Sequence, residues 1–143
     1  QNVVFITTTI IYEEDIMKFL HTMIRVKDLD KSYKFYTEKL GFVESRRKEF
    51  PDKKFDLVYL KLPDSPDYEL ELTYNYDQEE DYELGTGYGH IAISHSDIKS
   101  LREKFLEKGF EVTELRGLSD NSDKYFFVTD PDGYKIEIIQ KED

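Results

Sequence analysis

Cysteine is absent from the 143 residues, and with it any disulfide framework or thiolate metal site. That accords with a reducing cytoplasm, the expected location, and any thiol chemistry must come from a partner molecule. No run of about 20 apolar residues occurs, so nothing reads as a membrane-spanning helix. Positive charge is scarce: 20 Lys and Arg stand against 31 Asp and Glu, a net charge of −11. The phosphates of nucleic acid and of anionic membranes would be repelled. The length is that of one domain, and such a chain buries roughly 68–70% of its unfolded surface without staples.

Residues 1–16 also lack Lys and Arg. A signal peptide would want a basic start and a longer apolar stretch than "QNVVFITTTIIY". Met17 opens "MKFLHTMIRV", which reads as a natural start. Residues 1–16 are therefore expected to be an appendage outside the domain; the alternative is an extra strand on a sheet edge.

What the sequence does contain is written twice. Residues 18–27 alternate as a strand, with Leu20, Thr22, Ile24 and Val26 on one face and Phe19, His21, Met23 and Arg25 on the other. Asp28 can cap a helix to Leu40 with Gly41 as its stop and Leu29, Tyr33, Tyr36 and Leu40 as its apolar stripe. Strands are predicted near 42–49, 55–62 and 68–75. After the acidic linker "DQEEDYELGTGYG" the order restarts. A strand is predicted over 89–94, and a helix from Asp97 to a stop at Gly109, carrying Ile98, Leu101, Phe105 and Leu106. Strands near 110–116, 124–129 and 134–140 complete the set, with "DPDG" at 130–133 as a turn. Each half reads β-α-β-β-β. The predicted organisation is an α+β fold of two βαβββ modules, 17–79 and 89–143, with linker 80–88.

"YELEL" at 68–72 and "YKIEI" at 134–138 each place a Glu between apolar residues, Glu71 and Glu137. Each half also opens on a His, His21 or His90; the spacings to the Glu are 71 − 21 = 50 and 137 − 90 = 47 positions. If each helix covers the Ile/Val/Leu face, the His and Glu are left together on the concave face. A lone His or Glu on a strand is more often packed or solvated. Four in register across a repeat form an N/O donor set suited to a divalent first-row metal with an open position. His95 alternates with Ile91 and Ile93, lacks a repeat counterpart and reads as structural.

"LHTMIRVKDLDKSYKFYTEKLGF", "ELTYN", "YELGTGYGHIAIS" and "DPDGYKIEII" closely resemble the glyoxalase I (lactoylglutathione lyase) family of the vicinal oxygen chelate superfamily, over residues 17–141. The resemblance implies paired βαβββ modules in a homodimer and a metal held by His21, Glu71, His90 and Glu137. In the common family arrangement each site draws on both subunits; some relatives build it within one chain, and the sequence leaves both open. The implied reaction, methylglyoxal detoxification, isomerises the methylglyoxal–glutathione hemithioacetal to S-lactoylglutathione, with glutathione as co-substrate. By resemblance, the metal would supply Lewis acidity to an enediolate, with Glu137 as principal base and Glu71 as its counterpart. Arg25 lies about 13 Å along the strand from His21 and on its face. By resemblance, it and Asn75 grip the γ-glutamyl end of glutathione. For the glycine end the pattern departs: Thr86 stands where some relatives have Arg, Glu114 where they have Lys, and Arg116 is a substitute. His21 and the short chain resemble the family class that prefers Ni2+ or Co2+ over Zn2+. The alternatives are another enzyme of the scaffold, a thiol transferase or a dioxygenase, and a metal-free drug-binding protein. A dioxygenase would need two His and one carboxylate, and a drug-binding protein would need no intact ligand set.

Overall fold

The computed structural model describes residues 2–6, 9–117 and 124–142. Gln1, Thr7 and Thr8 of the N-terminal segment lie outside this set. In that segment β1 (Val3–Ile6) and β2 (Thr9–Tyr12) pair antiparallel as a ribbon of their own and join neither larger sheet. The alternative of an extra strand on a module's sheet edge is therefore not what forms.

The first module comprises β3 (His21–Arg25), a helix opening with α1 (Leu29–Lys34), β4 (Val43–Phe50), β5 (Phe55–Lys61) and β6 (Glu69–Asn75). Its sheet order is β3-β6-β5-β4, with β3 and β6 parallel and the other pairs antiparallel. The second comprises β7 (Ile91–His95), α2 (Ile98–Glu107), β8 (Tyr125–Thr129) and β9 (Lys135–Gln140), in the order β7-β9-β8. Here too the first and last strands are parallel neighbours.

Both helices begin where an Asx cap permits. Asp28 accepts the Lys31 N–H and Asp97 the Ser100 N–H, each at 3.1 Å. They end at Gly41 and Gly109, whose φ values of +80° and +79° suit a residue without Cβ. The first helix departs from α geometry: Phe35–Lys39 widens into a π turn. The Thr37 hydroxyl donates to the Tyr33 carbonyl at 2.8 Å, supplying that acceptor with a side-chain partner in the widened stretch. In α2, Ile98 and Phe105 are buried, but Leu106, expected on the same stripe, is 48% exposed.

A second correction concerns the strand expected over 110–116. Only two isolated bridges form there, Val112 to Val128 and Arg116 to Tyr125. Between them the Thr113 N–H donates to the Phe127 carbonyl at 2.9 Å, but side chains take the reciprocal groups. The Phe127 N–H donates to Thr113 Oγ1 at 2.9 Å, and the Thr113 carbonyl is taken by Arg102 Nε at 2.7 Å.

The two modules share one core, from Ile24, Val58, Leu60 and Leu72 on the first sheet to Phe126, Ile136 and Ile138 on the second. Phe35 and Phe105 both pack edge-on against Phe110, at 5.5 and 5.7 Å between centroids. Among the described residues, four hydrogen bonds cross between the modules. Tyr36 Oη donates to Asp130 Oδ2 at 2.6 Å and Tyr134 Oη to the Arg25 carbonyl at 2.9 Å. Asp132 accepts the Lys27 N–H at 2.9 Å and the Ser32 hydroxyl at 3.1 Å. The "DPDG" segment is thus a clasp as well as a turn. Burial pushes the Asp130 carboxyl up to about 6, against hydrogen bonds from Tyr36 and from the Tyr134 and Asp132 backbone.

Candidate metal centre

Parallel pairing of first and last strands sets a His diagonal to a Glu in each module. On β3 and β6, Met23 lies opposite Glu71, and His21 is two residues before Met23. On β7 and β9, Ala92 lies opposite Glu137, and His90 is two residues before Ala92. His90 thus immediately precedes its strand rather than lying within it. Side chains two apart project from one sheet face. His21 Nε2 comes within 3.2 Å of Glu71 Oε2, and His90 Nε2 within 2.7 Å of Glu137 Oε2. The His side chains are 36% and 44% exposed, so both pairs are open to the outside.

These donors fit a divalent ion. Two ligands about 2.0–2.2 Å from one metal, at right-angled or tetrahedral disposition, stand roughly 2.8–3.6 Å apart. One observed separation falls in that range and the other is slightly tighter. Among the described residues, however, no three His, Asp or Glu gather within the chain to hold an ion. The structure therefore brings His21 to Glu71 and His90 to Glu137, and leaves the four as two separate pairs.

An aromatic ring lies beneath each imidazole. Tyr59 packs edge-on to His21 at 5.8 Å and Phe127 to His90 at 5.3 Å. The repeat extends to these rings, since Tyr59 lies opposite Glu71 and Phe127 opposite Glu137 in the ladders. Tyr59 Oη donates to Glu71 Oε1 at 2.7 Å in a buried hydrogen bond. Burial, then the Glu71 hydrogen bond and charge, raise the Tyr59 phenol above its ordinary value and keep it a donor. The Arg46 guanidinium lies 3.7 Å over the Tyr59 ring and pairs with Glu69 at 3.1 Å. Ser45 also donates to Glu69. Burial alone would raise the Glu69 carboxyl, but Ser45 and Arg46 together hold it below its ordinary value. Sequence reasoning missed Tyr59, Arg46 and Glu69. The available signal was an aromatic on the strand before each Glu, 71 − 59 = 12 and 137 − 127 = 10 residues upstream.

Arg25 is exposed at the end of β3, and its guanidinium has no ion pair among the described residues. Asn75 Nδ2 donates to Tyr82 Oη at 3.0 Å. Glu114 pairs with Arg102 at 3.4 Å, while Thr86 and Arg116 are exposed. His95 has a local role, its Nδ1 accepting the Asp97 N–H at 3.0 Å. A cavity of about 1130 Å³ lies elsewhere, at the start of α1 among Lys27, Arg47, Tyr82 and Asp132. It holds none of the four His and Glu. The paired donors carry the chemistry, so the site is placed with them.

Residues 18–138 match the model of the Glyoxalase/Bleomycin resistance protein/Dioxygenase superfamily. A lactoylglutathione lyase of Escherichia coli O157:H7 is 43% identical over 129 residues, 89% of this chain and 95% of that protein. Lactoylglutathione lyase GLX1 of Arabidopsis thaliana is 40% identical over 131 residues, 90% of this chain and 46% of that protein. The chain thus spans about half the length of this plant relative and nearly all of the bacterial one. The solved structure of a trypanothione-dependent glyoxalase I from Leishmania major superposes with a TM-score of 0.76 at 42% identity, covering 87% of each chain. The chain belongs to the Glyoxalase/Bleomycin resistance protein/Dioxygenase superfamily and, within it, to the lactoylglutathione lyases.

Proposed function

We propose that this chain isomerises the hemithioacetal of methylglyoxal and glutathione to S-lactoylglutathione, as a cytoplasmic homodimer carrying Ni2+ or Co2+. The observation that carries this reading is the doubled diagonal His–Glu pair, at 3.2 and 2.7 Å. The modules are 17–79 and 89–143. His21 and Glu71 of one subunit would face His90 and Glu137 of the other, because one chain keeps its pairs apart. Exposed Phe19 and Met23, on His21's side of the strand, suit burial against a second copy.

The bound ion would supply Lewis acidity to the substrate oxygens. The protein's own work is proton transfer and binding. The Glu137 carboxylate takes the proton from the carbon beside the carbonyl and returns it to the neighbouring carbon, with Glu71 opposite. Arg25 pairs with the γ-glutamyl carboxylate of an anionic co-substrate that a chain of net charge −11 would otherwise repel. Asn75, tethered to Tyr82, supports the same end.

The test is a metal panel. The protein is stripped with chelator, reloaded with nickel, cobalt, zinc or manganese, and assayed for thioester formation from methylglyoxal with glutathione or trypanothione. Activity with nickel or cobalt and little with zinc is expected. Full activity with zinc would discard the metal class, and inactivity with every ion and thiol would discard the reaction.

A further inference from the structure

We infer that Tyr59 is a positioning residue that makes the duplicated carboxylates unequal: it holds Glu71 fixed as a ligand and leaves Glu137 as the mobile one. This rests on the function proposed above. The two half-sites are copies in register, imidazole and ring packing, yet only one ring bears a hydroxyl. Glu71 has both oxygens engaged, Oε2 toward His21 and Oε1 by Tyr59 Oη at 2.7 Å. Glu137 has Oε2 toward His90, and no donor among the described residues reaches its other oxygen. Phe127, in Tyr59's position, has nothing to donate.

The hydroxyl is itself held. Tyr59 is 5% exposed and Glu71 7%, so water competes little for their bond. Arg46 covers the ring at 3.7 Å and is anchored by Glu69, which lies directly across the ladder from His21. A carboxylate bonded at both oxygens is oriented and slow to leave a metal, as outer hydrogen bonds to ligands generally ensure. A carboxylate that must take a proton from carbon and return it needs one oxygen unencumbered. The single hydroxyl therefore divides two roles between groups that the repeat would otherwise make alike.

The test is a reciprocal pair, Tyr59→Phe and Phe127→Tyr, each changing one hydroxyl. Affinity for Ni2+ is read by competition with a chromophoric chelator, geometry by the visible spectrum of the Co2+ form, and turnover with the hemithioacetal. Tyr59→Phe should weaken Ni2+ binding roughly 10–100-fold and shift the Co2+ spectrum, and should do neither when Glu71 is already Gln. Phe127→Tyr should leave Ni2+ affinity intact or tighter and lower kcat at least tenfold. Unchanged affinity and spectrum in Tyr59→Phe, or unchanged kcat in Phe127→Tyr, would overturn the inference. The affinity and spectral arms need no turnover, so a protein that binds Ni2+ without acting on the hemithioacetal would sink the proposed reaction and still decide the role of Tyr59.

Discussion

A carboxylate that both ligates a metal and carries a proton must exchange one task for the other, and Glu137 has the freer environment for it. Glu137→Gln keeps the shape and removes the base. It should weaken Ni2+ binding and lower kcat by roughly 10²–10⁴-fold; turnover near the wild-type rate in the reloaded variant would remove Glu137 from that role. Arg25 should act on binding. Its exposed guanidinium has no ion pair among the described residues, so Arg25→Ala costs the fold little. Loss of a charge-assisted pair is worth roughly 1.5–3 kcal/mol, read as a rise in KM for the glutathione adduct of about 10–100-fold with kcat held. A fall in kcat at constant KM would contradict a ground-state clamp.

At the scale of elements, each module is built so that its first and last strands are parallel neighbours. That pairing, rather than either strand alone, sets His and Glu side by side. The helix between keeps the apolar face covered, and its start depends on one side chain. Asp97→Ala removes the acceptor of the Ser100 N–H and should destabilise the protein by about 1 kcal/mol in urea unfolding, with the metal affinity unchanged. The irregular 110–116 segment belongs to this scale too. Thr113 and Arg102 take backbone partners that a fourth strand would have used, so the second sheet is one full strand short of the first.

For the whole molecule, the shared core and the clasp at residues 130–133 fix the modules to each other with their His–Glu pairs apart. If sites form between subunits, two inactive dimers can complement. Mixing His21→Ala with Glu137→Gln chains leaves one intact site in each mixed dimer. Random exchange should restore on the order of a quarter of wild-type activity; no recovery, with mixed dimers demonstrated, would place each site within one chain. The clasp also predicts a pH effect. Asp130 titrates at about 6 in the fold against an ordinary 3.8. Between these values the unfolded chain loses the proton that the folded chain keeps, so this group's contribution to stability falls as pH rises and levels off above about 6. Asp130→Asn removes that dependence. Relative to wild type, the variant should therefore gain up to about 3 kcal/mol between pH 4 and 6, measured by urea unfolding across that range. A constant difference would show that Asp130 ionises normally.

The duplication was legible because it rests on local patterns: strand alternation, Asx caps, helix-stopping glycines, and a His and a Glu at matched spacing. Those patterns suffice to place each His and Glu on one face of their strands. Matched spacing was enough to suggest a shared metal; the reaction, the base and the substrate contacts came from resemblance. Other features were not legible, since they depend on where the backbone travels after leaving an element. Asp130 and Asp132 read as turn residues, yet they bind Tyr36, Lys27 and Ser32 some hundred positions away. Tyr59 and Phe127 read as ordinary strand aromatics; only their ladder partners make one a donor to a carboxylate and the other not. The sequence by itself determined two modules and the donors each presents, because period and capping act over a few residues. The tertiary structure decided that one chain holds two half-sites apart and which carboxylate is tethered, because those depend on contacts between segments that no local pattern encodes.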